Sequence, residues 1–263
     1  MMDNAHTEKS LETSAQPDQD RWNPWLAVLF ALLIFVASQV VGTAAALVYP
    51  TLQGETSAHA IAWVQASVIA QFVYIASAET FTIAAIYLYL RKNKLHFGLI
   101  GLRRPRWRDP LYALLAVPVY YGFYLATVGL VTNLLPSLDV NQAQQIGFTN
   151  VHGVSALTLT FLSLVVLPAL AEEILFRGFL YSAFKKALTP LAAVIITSAI
   201  FAAAHLPEGG AAGPLYIAAI DTFILSLVLI YLREKTGSLW AGIALHAIKN
   251  GVAFVALFLL HAH

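Results

Sequence analysis

Apolar runs long enough to cross a bilayer recur along almost the whole chain, and basic residues fall in every second connection between them. A helix of roughly 20 apolar residues spans the hydrocarbon core. Inside that core each backbone polar group must find its partner within the protein, which restricts the backbone to very few forms. Composition agrees, with 59% hydrophobic and only 11% charged residues, where soluble domains carry about a quarter charged. The expected fold is therefore all-α membrane: a polytopic bundle of about seven transmembrane helices.

The runs fall at 25–49, 61–90, 111–135, 154–181, 191–205, 215–232 and 239–260. Residues 1–21 are polar and aperiodic, and read as a disordered tail. Trp22 and Trp25 read as interface markers, since indole rings favour the headgroup level. A cleaved signal peptide is the rival for the first run. That run is longer than the ~7–15 residues of a signal-peptide apolar region, and no basic segment precedes it, so a retained helix is expected. Residues 22–263 are expected to form a single transmembrane helical domain, with a core region at 154–251.

Arg91, Lys92, Lys94, Arg103, Arg104, Arg106 and Arg108 occupy one connection, Lys185 and Lys186 another, and Arg233 and Lys235 a third. The connections at 136–153 and 207–214 contain neither Lys nor Arg. The positive-inside rule then makes the N-terminus and the three basic loops cytoplasmic and the C-terminus external. The expected location is a bacterial inner membrane. With no cysteine in the chain, disulfides, thiolate metal sites and a cysteine nucleophile are all excluded.

Within this apolar background, Glu172, Glu173 and Arg177 lie together in the fourth run. A charge at bilayer depth costs at least ~2.5–3.5 kcal/mol, so such groups need partners. Glu173 and Arg177 are i, i+4 with the acid first, the better order for an ion pair. Glu172 then points about 100° away around the helix. Counting rise along each helix puts Glu172 about 20 Å and His205 roughly 22 Å from the cytoplasmic ends. The same count gives about 12 Å for His246 and about 18 Å for Asn250, which share one face. Pro168 precedes Glu172 by one turn and bends the helix there. Glu79, Asp221 and Lys249 come to roughly 17–18 Å, and a structural ion pair of Lys249 with Asp221 or Glu79 is expected. Each polar residue alone has a plainer reading: a lone His packs, and a lone Asn bridges helices.

Taken together, Glu-Glu-x-x-x-Arg (Glu172, Glu173, Arg177), Phe-x-x-x-His (Phe201, His205) and His-x-x-x-Asn (His246, Asn250) appear in order on the fourth, fifth and seventh runs. This set resembles the CPBP intramembrane proteases, the family of type II CAAX prenyl endopeptidases and Abi bacteriocin-immunity proteins. The resemblance implies an intramembrane endopeptidase with a catalytic cavity formed by the C-terminal helices. By it, Glu172 and His205 activate a water, His246 and Asn250 hold the oxyanion, and Glu173 and Arg177 orient the helix of Glu172. It implies hydrolysis of a membrane-associated peptide or protein, a prenylated CAAX-type terminus among the candidates, with access from the cytoplasmic side. Partners are then this substrate and the lipid bilayer, with no nucleic acid. A glutamic mechanism without a cofactor is favoured; the alternative is zinc held by His205, His246 and Glu172. Two other classes compete: a non-catalytic scaffold or self-immunity protein, and a proton-coupled transporter, whose pathways also use intramembrane acids and histidines. No inverted repeat with paired broken helices speaks for the transporter.

Overall fold

The computed structural model describes residues 22–142, 144, 145, 147, 148 and 151–260. The tail expected at 1–21 lies outside the described residues. Those described form helices and connections with no strand, and seven of the helices are long and apolar enough to cross a membrane. The protein is an integral, multi-pass membrane protein.

Helix α1 (Pro24–Leu52) starts where the Asn23 side chain accepts hydrogen bonds from the Trp25 and Leu26 amides, with proline in the first turn. Its buried face is mostly small: Ala27, Ala31, Ser38, Gly42 and Ala46. Small residues let helix backbones approach inside a membrane. A Cβ on Gly42 would stand 2.7 Å from the Tyr74 carbonyl oxygen of the neighbouring helix. The interface reading of Trp22 is corrected. Trp25 is exposed, but Trp22 is buried with its ring 5.2 Å from that of Phe179.

The second apolar run is broken into α2 (Ser57–Ala66) and α3 (Val68–Lys92). Ser67 adopts an extended backbone and its hydroxyl accepts from the Ala70 amide, so it ends one helix and caps the next. The side chain of Gln71 crosses the break to the Gln65 carbonyl. Serine competes for backbone groups in this way, and hydropathy does not register it.

After the basic connection, α4 (Arg108–Leu134) packs on α7 (Tyr216–Thr236) and α8 (Trp240–Leu259). Their cluster contains Ala113, Tyr120, Leu225, Leu229 and Leu245. Helix α5 (Gly153–Ala187) carries the Glu-Glu motif and is wound as π-helix over Leu162–Val166 and Glu173–Leu180. Helix α6 (Pro190–Ala204) is capped by Thr189 and stops at His205. A short 3₁₀ stretch, Leu206–Ala212, follows it. Gly237 in the left-handed conformation closes α7.

Candidate active site

Glu172, His205, His246 and Asn250 all line one cavity of about 590 Å³. Helix α5 supplies the first, the end of α6 the second, and α8 the other two. Glu173 and Arg177 stand behind this wall, both fully buried at 0% exposure.

The arrangement behind the wall follows from local winding. A π-turn inserts extra width into a helix, and such turns cluster at functional sites. Here it begins at Glu173, immediately after Glu172. Arg177 Nη1 donates to Glu173 Oε1 at 2.9 Å. His246 Nδ1 lies 3.1 Å from the same oxygen. An ionised carboxylate only accepts, so Nδ1 carries the hydrogen. His246 Nε2 is thereby turned towards Glu172, 3.9 Å from its Oε2. Helix α8 comes this close because position 242 is glycine: a Cβ there would sit 3.0 Å from Glu173 Oε2.

His205 is fixed in a similar way. Its Nδ1 is 2.7 Å from the Phe201 carbonyl oxygen, again an acceptor only, which leaves Nε2 unprotonated in the neutral ring. That nitrogen lies 3.9 Å from Glu208 Oε1. The buried Phe201 ring joins these groups. The Arg177 guanidinium carbon lies 3.9 Å from its centroid, and the rings of His205 and Phe176 are 4.6 and 4.9 Å away. Arginine over an aromatic face is an attractive contact.

Asn250 has a task that spacing does not reveal. Proline at 168 cannot donate to the carbonyl four residues back, Leu164. Asn250 Nδ2 donates to that carbonyl at 3.1 Å. Leu164 and Pro168 both line the cavity, so the freed oxygen is met by protein at its wall.

Residues 154–252 match the family model described as Type II CAAX prenyl endopeptidase Rce1-like. This segment is similar to that family. It contains all seven residues of the motif set, in agreement with the CPBP resemblance. Comparisons with curated proteins and with solved structures return no match.

The cavity is not built by the matched segment alone. Gln39 of α1 and Tyr74 and Glu79 of α3 line it, as do Gln144 and Gln145 of the connection before α5. The Tyr74 hydroxyl donates to the Gln39 side-chain oxygen. Gln144 Nε2 donates to Glu208 Oε2 at 2.7 Å. Glu79 is signalled in the sequence as a mid-span acid. Gln144, Gln145 and Glu208 sit in polar connections where nothing sets them apart. Lys249 also lines the cavity and pairs with Asp221 at 2.9 Å, and Tyr120 of α4 donates to the same carboxylate. Of the two partners expected for Lys249, the structure selects Asp221.

Among the described residues, no group of three His, Asp or Glu side chains is disposed to hold a metal ion. Glu172, His205 and His246 share the cavity.

Proposed function

We propose that the protein is an intramembrane endopeptidase in which Glu172 activates water without a metal. The observation that carries this reading is the shared cavity. Glu172 and the free Nε2 atoms of two histidines reach it, each ring oriented from behind by an acceptor. Glu172 takes a proton from the water as its oxygen bonds to the scissile carbonyl carbon, and the carbonyl π pair moves to oxygen. His205 Nε2 accepts a hydrogen bond from the second water hydrogen and aims the nucleophile.

The Asn250 N–H not used by Leu164 donates to the oxyanion. His246 has its Nδ1 hydrogen on Glu173, so its Nε2 donates only in the imidazolium form. The nearest carboxyl to that nitrogen is Glu172, and the proton drawn from water is shared between them. Collapse of the intermediate breaks the C–N bond, and Glu172 returns the proton to the leaving amine. Glu173 and Arg177 act by positioning His246 and the helix of Glu172.

The substrate is a membrane-associated peptide or protein. The cavity walls come from α1 and α3 as well as the matched segment, which supports residues 22–263 working as one transmembrane unit. The alternation of basic loops supports a cytoplasmic N-terminus.

The test is cleavage of a peptide library, with lipidated and plain C-termini, by purified protein in detergent. Glu172→Ala, His205→Ala and His246→Ala are each expected to lower the rate by about 10²-fold or more. Equal cleavage by wild type and variants assigns the activity to a contaminant and leaves a binding role. A chelator is expected to leave the rate unchanged. Loss restored by zinc would replace the metal-free mechanism.

A further inference from the structure

The two ends of the cavity are built differently. Towards the basic loops, α5 continues below Glu172 through Phe176, Phe179, Leu180, Tyr181 and Phe184, all buried. The Phe179 ring lies 5.2 Å from Trp22 and 5.1 Å from Tyr89. Beneath them the turn Phe97–Ile100 is inserted with Ile100 fully buried, and it is tied in place by the Leu239 amide donating to the Gly101 carbonyl at 3.1 Å. The Ser182 hydroxyl and the Arg233 guanidinium donate to the Leu99 carbonyl from two other helices. This end is a packed apolar floor, and the expected cytoplasmic approach meets it.

The opposite end is bordered by connections. Gln144 and Gln145 are exposed and line the cavity with Pro207 and Glu208. The Gln145 amide donates to the Glu208 carbonyl at 2.9 Å, and Gln142 Nε2 to the Pro214 carbonyl at 3.0 Å. Leu257 and Phe258, near the end of α8, complete the border. Both connections belong to the membrane face without basic loops: apart from Arg177 and Lys249 inside the spans, every Lys and Arg of the chain lies in the N-terminal tail or the three basic loops. The positive-inside rule makes their face extracytoplasmic.

We propose that the cavity is entered from the extracytoplasmic face, and that its substrate is a membrane-embedded or lipid-anchored peptide presented there, not a prenylated terminus in the cytoplasm. The substrate assignment rests on the endopeptidase reading. The direction of entry rests on packing and charge placement alone.

The chain has no native cysteine, so single cysteines report accessibility without background. Arg104→Cys marks the basic face, Pro207→Cys the border, and Ala78→Cys the interior. Ala78 is 3% exposed and lines the cavity, so reagent reaches it through the cavity. Each full-length variant is treated in intact cells and in inverted vesicles with a small, charged, membrane-impermeant methanethiosulfonate. Pro207→Cys and Ala78→Cys are expected to react in intact cells, and Arg104→Cys only in inverted vesicles. Reaction of Ala78→Cys from the Arg104→Cys face, or from neither face, overturns the proposal. The readout needs no hydrolysis. Inactive protein labelled as expected would therefore refute the endopeptidase reading and leave the entry direction standing.

Discussion

Two ion pairs lie at mid-span, and they are built to different ends. Glu173 and Arg177 are one turn apart on α5, fully buried, stacked on Phe201 and joined by His246. Lys249 and Asp221 connect α8 to α7, keep 22% and 16% side-chain exposure, and recruit Tyr120 from α4. The first pair adds little to helix association, because both charges ride on one helix. Its geometry instead fixes the tautomer and direction of a histidine from another helix. The second ties three helices together. A charge within a membrane span therefore says that a partner exists, and only the partner's location separates orientation of a side chain from stitching of a bundle.

The largest expected effect breaks the first pair. Arg177→Ala leaves a buried carboxylate without its cation, which costs about 3–5 kcal/mol. Thermal unfolding in detergent should show the loss, together with loss of hydrolysis. Glu173→Leu with Arg177→Met sharpens the contrast. Removing both charges should restore much of the stability, while hydrolysis stays low because His246 has lost its acceptor. Recovery of both would make the pair purely structural.

Asn250→Ala is next. It strips the Leu164 carbonyl of its donor, at about 1–3 kcal/mol for a buried unsatisfied group. The turnover number should fall more than the Michaelis constant changes. Asn250→Asp, which cannot donate when ionised, should not rescue it.

The second pair is tested by Lys249→Ala, Asp221→Ala and the double variant. A coupling energy of about 1 kcal/mol is expected from unfolding measurements on this cycle. Strictly additive losses would dissolve the pair. The smallest effect is Gly242→Ala, whose methyl presses on Glu173 Oε2 and should cost about 0.5–1 kcal/mol.

Much of this was legible in the sequence, for identifiable reasons. The spans and their alternation follow from solvent rules that act on whole segments. The i, i+4 relation of Glu173 to Arg177 needs only helical geometry. The depth count brought Glu172, His205 and Asn250 to one level because each sits on a helix with a clear cytoplasmic end. Other features depend on atoms that spacing does not encode. Ser67 breaks a run of suitable hydropathy through one hydroxyl. Trp22 turns inward because Phe179 offers it a surface. Asn250 faces a carbonyl orphaned by a proline on a different helix. Glu208 and Gln144 meet across two connections with no periodicity, so nothing marked them before the bundle was assembled.

The most direct measurement compares hydrolysis by Glu172→Gln and by Asp221→Asn, reconstituted in the same vesicles at matched folded protein. Glutamine keeps the shape of Glu172 and removes its basicity, and the expected loss is about 10²–10⁴-fold. Asp221→Asn alters a carboxylate that does not line the cavity and should stay within about tenfold of wild type. Equal rates for Glu172→Gln and wild type, or equal losses in the two variants, would contradict the assignment of water activation to Glu172.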